Sequence, residues 1–505
     1  MSGLQRVVLG GVLIAGALGY LRAYLANRSL WHDEALLALE LIDRNSLFEP
    51  FQRGQAVPVG FAALTSAAIY LFGSASEHAL RLWSVVAAVF VPPAVYLAAR
   101  QVVSRWPAIL ATAIVATAPS LLYFSSEFKP YALDVFFSAA ILAAAGQHLR
   151  TGCRAKTLWM FTALSAVAVW VSYPSIIVIA AACLAMVSWS RGRQWSGIRP
   201  LALAIAAAGV SFVGAYAISR RLVADVSDLQ TYWNGSFLPL PPRSFNDLVV
   251  WLSRALALFS EPFTAPINDG DAATQATLLV LALWFGGVVC AWCRDRWSAI
   301  LLATPLAATL AIAALHLYPA SGRLILFLLP VVAIGTSAAV EALTARALWA
   351  ALFTSVLLLV LPTLSFLQMA RHPSGREDVR GALAALDRQV QRGDVVYLFA
   401  RAVPTTEYYR RVGMLPPREG VAVMGGKSHH GTPSGYFREL CALAGRERIW
   451  LLMPDALGTD RQNEREFLVA TLRGVDAVTR EFSFQRASLY LLDFSKSRIR
   501  RACGE

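Results

Sequence analysis

Charge is what this sequence has least of. Only 15% of its 505 residues are Asp, Glu, Lys or Arg, against about 25% in an ordinary soluble domain. Hydrophobic residues make up 57%, and the mean hydropathy is +0.53. That composition excludes a soluble globular protein. The apolar residues also fall in blocks long enough to cross a bilayer, which takes about 20 residues as a helix.

Other absences narrow the reading further. The net charge of +13 has no basic face behind it. The arginines are scattered between apolar blocks, which excludes a nucleic-acid platform and fits membrane topology and anionic lipid head groups. The six cysteines, Cys153, Cys183, Cys290, Cys293, Cys441 and Cys503, show no zinc spacing. Cys290-Ala-Trp-Cys293 is a single CxxC at the end of an apolar block and reads as structural. Cys441 and Cys503 can form a disulfide if their region lies outside the cytoplasm. No Ala-x-Ala cleavage site follows the block Val7–Leu25, so it reads as a retained helix. A phosphate-binding loop is missing too: Gly425-Gly426-Lys427-Ser428 ends like one, but the required glycine position holds Val421. His429 and His430 read as loop residues, and no metal is implied.

What is present is a series of spans. After 7–25, apolar blocks run over 79–99, 106–124, 130–147, 157–173, 175–190, 199–218, 273–292, 298–317, 323–340 and 347–367. About eleven transmembrane helices are therefore expected, with the termini on opposite sides. A further block, 56–72, is decided by charge. If it does not span, Arg6, Arg100, Arg105, Arg150, Arg154, Lys156, Arg191, Arg193, Arg199, Arg294, Arg296 and Arg346 share one side, the cytoplasm. It is therefore expected at the outer interface, re-entrant or lying on the surface. Segments 26–78, 125–129, 220–272 and 318–322 then face outward together with the C-terminal region. The loop 220–272 carries Tyr232, Trp233 and an amphipathic stretch around Trp251 and Arg254. Polar chain concentrated on one face points to chemistry on that face.

Composition changes after Arg371. Helical periodicity over Asp378–Val390, 437–444 and 461–475 is interleaved with strand-like runs at Asp394–Ala400, Arg448–Met453 and Ala487–Phe494. The expected fold class is an all-α polytopic membrane domain, 1–370, with outer loops 26–78 and 220–272, followed by an extracytoplasmic α/β domain, 371–505.

Four stretches carry candidate chemistry. Trp31-His32-Asp33-Glu34 places two carboxylates just beyond the first span. One carboxylate can take a proton from an acceptor hydroxyl attacking a sugar carbon, and negative charge stabilises an oxocarbenium-like transition state. The same pair also suits the N-terminus of a helix over 35–42. Ser125-Ser126-Glu127-Phe128-Lys129-Pro130-Tyr131 offers Lys129 to a phosphate oxygen and Glu127 as its partner, or is a solvated turn with a snorkelling lysine. His316-Leu317-Tyr318-Pro319-Ala320-Ser321-Gly322-Arg323 offers an arginine fork to a phosphate, or an interfacial anchor. Asp134, one turn inside the fourth span, is an intramembrane acid close enough to the surface to pair with Lys129.

Together these stretches resemble the GT-C superfamily of glycosyltransferases, especially the bacterial relatives of protein mannosyltransferases and aminoarabinose transferases (glycosyltransferase family 39-like). The likeness lies in WHDEALLALELI (31–42), VPVGFAALTSAAIYLFGSASEHALRLWSVV (57–86), APSLLYFSSEFKPYAL (118–133) and SGRLILFLLP (321–330). REDVRGALAALDRQVQRGDVVYLF (376–399) resembles the start of the family's soluble domain. Two positions depart from the pattern. Leu324 stands where the family often has tyrosine, and Pro58 where it commonly has two prolines.

The resemblance implies an inverting transfer of a hexose or pentose from a polyprenyl-phosphate donor to a glycan, lipid or protein acceptor outside a bacterial cytoplasmic membrane. It implies Asp33 as base with Glu34 its neighbour, Glu127, Lys129 and Tyr131 at the mouth of the site, and Arg323 on the donor phosphate. The lipid-linked sugar is the one co-substrate called for, a divalent metal is possible but not implied, and no nucleic acid is expected. The alternatives are a flippase of lipid-linked sugars, a surface-polysaccharide polymerase or ligase, and a membrane scaffold for the C-terminal domain. A flippase would place ionisable residues deep within several helices, whereas here they cluster at one face.

Overall fold

The computed structural model describes residues 1–44, 46, 48–53, 55–152, 154–191, 198–222, 233–264, 271–373, 375–415, 418–429, 431–454, 459–496 and 502–503. Cys153, Arg193, Tyr232 and His430, singled out above, lie outside them. The chain packs as two compact units. The first comprises Met1–Ala26, Asn45–Ala68 and Leu80–His372, and the second Asn27–Arg44, Ile69–Ala79 and Pro373–Glu505.

The first unit is helical. Among the described residues eight helices are long and apolar enough to cross a membrane: Gly3–Leu25, Glu77–Val102, Tyr131–Arg150, Arg199–Leu222, Thr277–Arg294, Arg296–Ala314, Gly322–Thr344 and Leu348–Arg371. Val59–Phe72 is a 14-residue helix, about 21 Å long at its helical rise and short of the ~30 Å hydrocarbon core. Ala155–Val171 and Ser175–Arg191 have 17 residues each.

Two expected spans differ in detail, and proline explains both. The block 106–124 is not one helix: Arg105–Ala116 and Pro119–Phe124 are separated by Thr117 and an extended Ala118, because the residue before a proline is pushed out of the α region. The block 323–340 begins as a 3₁₀ segment, Gly322–Leu328, before the α-helix Leu329–Thr344. Pro330 tolerates only the first turn of that helix, since it lacks an N–H and its ring crowds the carbonyl four residues back.

Helices in this unit meet through small residues. A Cβ on Gly287 would collide with the carbonyl oxygen of Gly335, so these two helix backbones touch, as small-residue interfaces allow in lipid. Leu348–Arg371, by contrast, leaves Trp349, Phe353 and Leu361 exposed, as a helix facing lipid does.

The second unit is an α/β fold. Its helices are α1 (Val379–Gln389), α2 (Ala402–Arg411), α3 (Ser434–Cys441) and α4 (Thr459–Gly474). Its strands are β1 (Val395–Leu398), β2 (Ala422–Gly425), β3 (Ile449–Pro454), β4 (Val478–Phe484) and β5 (Ala487–Leu492). They form one sheet in the order β2-β1-β3-β5-β4, parallel across β2, β1 and β3 and antiparallel across β3, β5 and β4. Side chains alternate across the sheet. Val395, Tyr397, Leu451, Met453, Tyr490 and Leu492 point into a core closed by α3 and α4. Cys441 and Cys503 are disulfide-bonded.

Three elements of this unit were not expected from the sequence. β2 is a four-residue, exposed edge strand. β4 carries a mostly polar sequence, VTREFSF, on an outer position. α2 has a proline near its start, AVPTTEYYRR, which hides its period.

Segments 27–44 and 69–79 pack with this unit through polar contacts, most of them buried or partly buried. Tyr409 donates its hydroxyl to Glu77 Oε1 (3.0 Å) and accepts the Leu30 N–H (2.9 Å). Arg380 pairs with Glu77 at 2.8 Å. Tyr408 donates to the Ala75 carbonyl at 2.8 Å, and Arg411 pairs with Asp43 at 2.6 Å.

Candidate active site

The acidic motif opens the helix His32–Asp43, and the two carboxylates take different places. Glu34 is buried at 1% exposure, and its Oε2 accepts the Trp31 N–H at 3.4 Å. It therefore satisfies one of the four donors that a helix start leaves open. Asp33 is only half-buried and sits in the first turn, where the helix dipole favours an anion. The capping reading thus belongs to Glu34.

Behind this turn lies a residue that the motif reading missed. Glu377 is fully buried. Its Oε2 accepts the His32 N–H at 3.4 Å, and its Oε1 pairs with Arg401 Nη2 at 3.3 Å. The His32 ring nitrogen Nδ1 is 3.0 Å from the Arg401 carbonyl oxygen, a contact in which the ring donates. Burial lifts the Glu377 carboxyl above its usual range, against the pull of Arg401, and the charge of Asp33 lifts it further. Trp31 is buried beneath the Arg376 guanidinium, 4.1 Å from its ring centroid. The signal in the sequence was the charged run Arg376-Glu377-Asp378 directly after the last apolar block.

In the first unit, the turn 125–130 is buried, not solvated. Glu127 is 1% and Lys129 7% exposed. Lys129 Nζ donates to Gln55 Oε1 at 3.0 Å, and the Lys129 carbonyl accepts from Ser84 Oγ at 3.1 Å. A buried charge is sustained only by such polar partners. Asp134 is also buried.

Arg323 lies between two aromatic rings, 5.8 Å from the Tyr131 centroid and 5.7 Å from that of Trp233. Rings hold a guanidinium through their negative faces. The loop bearing Arg323 is fixed by Arg254, which donates to Ser321 Oγ (3.1 Å) and to the Gly235 carbonyl (2.7 Å). Tyr318 donates to the Leu324 carbonyl at 2.8 Å. The structure therefore joins Tyr131, Arg323 and Trp233. Trp233 and Arg254 were visible in the sequence only as polar and aromatic content of a long loop.

The loop Gly425–Ser428 binds a carboxylate instead of offering amides to a phosphate: the Lys427 N–H lies 3.2 Å from both Glu439 oxygens. His429 Nε2 is 3.1 Å from Glu439. Among the described residues no cluster of three His, Cys, Asp or Glu side chains is placed to hold a metal ion. A cavity of about 440 Å³ opens between α1, α2 and the β1–β2 edge, lined by Leu386, Val403 and Val423 among others. It includes neither Asp33 nor Glu377.

Residues 56–222 match the family described as dolichyl-phosphate-mannose-protein mannosyltransferase. The crystal structure of ArnT from Cupriavidus metallidurans in the apo state is similar over almost the whole chain. Its TM-score is 0.54 at 13% identity, covering 98% of this chain and 99% of that one. The same protein bound to undecaprenyl phosphate gives a TM-score of 0.55 at 13% identity, covering 95% and 98%. A comparison with curated proteins by sequence finds no match. The chain is a multi-pass membrane protein with the fold of the GT-C glycosyltransferases. Within that class its architecture is ArnT-like, a helical membrane part followed by a small C-terminal sheet region.

Proposed function

We propose that this protein is a membrane glycosyltransferase that moves a sugar from a polyprenyl-phosphate donor to an acceptor hydroxyl at the outer face of a bacterial cytoplasmic membrane. Asp33 takes the acceptor proton as the acceptor oxygen attacks the anomeric carbon. The bond from that carbon to the phosphate oxygen breaks with inversion, and the lipid phosphate leaves with the electron pair. Arg323 and Lys129 carry the donor phosphate, and Glu127 and Tyr131 line the approach to it. Nucleotide sugars are cytoplasmic, so an outward-facing enzyme takes its sugar on a lipid.

The observation that carries this reading is the division of labour within the acidic pair: Glu34 is consumed as a buried cap while Asp33 stays partly exposed. The ArnT-like fold supports it, as that protein has been seen with undecaprenyl phosphate bound. The Cys441–Cys503 disulfide supports an extracytoplasmic second unit, because disulfides persist in oxidising compartments.

The test uses purified full-length protein, a panel of undecaprenyl-phosphate pentoses and hexoses, and membrane vesicles as acceptor source. Asp33→Asn should keep its affinity for undecaprenyl phosphate and lose transfer by at least about a hundredfold. Arg323→Ala and Lys129→Ala should instead weaken undecaprenyl phosphate binding. Full transfer by Asp33→Asn would remove Asp33 from the mechanism, and lipid-sugar translocation without transfer would favour a flippase.

A further inference from the structure

We infer that Glu377, at the start of the second unit's C-terminal segment, is the positioning residue for Asp33, reaching it through the backbone of His32 and locked by Arg401. The inference rests on the reading of Asp33 as the transferase base.

The geometry is a closed ring of contacts. A helix start leaves its first backbone N–H groups without intrahelical partners. Glu34, three residues on, takes the first of these at Trp31. The next, at His32, goes to Glu377, 345 residues away in sequence. Glu377 has no solvent of its own to rely on, being fully buried, and its other oxygen is held by Arg401. The Arg401 carbonyl in turn engages the His32 imidazole. His32 is thus gripped at backbone and side chain by neighbours in the folded α/β unit. Asp33 is the next residue along, so its backbone cannot shift without breaking the ring. A general base must sit within hydrogen-bond reach of the proton it removes, and misplacement by about an ångström costs roughly a hundredfold in rate.

The experiment compares Glu377→Gln with wild type in the full-length protein. Gln keeps the size but has one acceptor oxygen for two donors. Hydrogen exchange at residues 31–34 should rise at least tenfold while β3 stays protected. With the undecaprenyl-phosphate sugar panel, kcat should fall at least tenfold with the donor KM within twofold. A purely structural loss would lower the amount of folded protein without changing kcat per folded molecule. Should Glu377→Gln prove unstable, His32→Ala removes only the ring's contact with the Arg401 carbonyl, keeps the His32 N–H on Glu377, and should give a smaller rise in exchange at residues 31–34 with a smaller fall in kcat. Arg401→Lys, which keeps the cation, should retain more activity than Arg401→Ala. Unchanged exchange at residues 31–34, or unchanged kcat in a variant whose Asp33→Asn counterpart is dead, overturns this inference alone. Full transfer by Asp33→Asn removes Asp33 from the mechanism and leaves the exchange result to judge the positioning contact by itself.

Discussion

The two units hold themselves together by different means. In the membrane unit the helices close by removing side chains: Gly287 lies against the Gly335 carbonyl with no room for a methyl. In the α/β unit distant segments are joined by adding charge. Buried Glu77 meets Arg380, buried Glu377 meets Arg401, and buried Asp394 meets Arg448 at 2.8 Å. The difference follows from the solvent. Lipid gives helices no hydrophobic reason to associate, so close backbone approach must do it. A water-facing domain can use ion pairs, and each buried carboxylate then depends on one particular arginine.

Substitutions can break this contrast. The largest effect is expected from Arg380→Ala, which strands Glu77 inside the second unit. Loss of one partner of a buried pair costs about 3 kcal/mol or more. Thermal unfolding of the detergent-solubilised protein should register it, with hydrogen-exchange protection lost at Leu30; an unaltered melting profile would mean that Glu77 is not held by Arg380. Next is Gly287→Ala in the membrane unit, where a methyl must displace backbone, at a cost of about 1–3 kcal/mol. Its effect should appear as a lower melting temperature, with the α/β unit's exchange pattern preserved. The smallest concerns acid. Burial raises the Asp394 carboxyl, but hydrogen bonds from Arg448, the Gln391 N–H and Trp450 outweigh it and hold the group below its usual range. A carboxyl depressed in the folded state stabilises above its unfolded value of about 4 and loses that contribution as pH falls toward the folded value. Asp394→Asn should therefore flatten the acid end of the stability profile, and an unchanged acid end would refute the assignment.

The same contrast governs what could be read from the sequence. Apolar blocks marked the long helices, because lipid demands an uninterrupted apolar surface. What they did not show was local backbone detail, such as the break at Thr117–Ala118 or the 3₁₀ entry before Pro330. In the α/β unit, DVVYLFA and the runs at 448–453 and 487–494 were legible because both faces of a central strand are buried. The edge strand β2 and the polar β4 carry no such pattern. Of the candidate site, the residues on short motifs were visible: Asp33, Glu34, Glu127, Lys129, Tyr131 and Arg323. Glu377 and Arg401 were not, and Trp233 showed only as aromatic content of a long loop, since each acts on a motif residue far away in sequence, and no local spacing encodes such a meeting.

The acidic motif of residues 31–34 leaves the ribosome early, while its supports at Arg380, Arg401 and Tyr409 are made some 350 residues later. A partly synthesised chain already contains the motif but none of the framework that fixes it. Non-local contacts of this kind form late, so the acidic helix acquires its final setting only after the last apolar segment has been inserted and the sheet has assembled. A chain truncated before Glu377 would carry the acidic motif without the contacts that hold it.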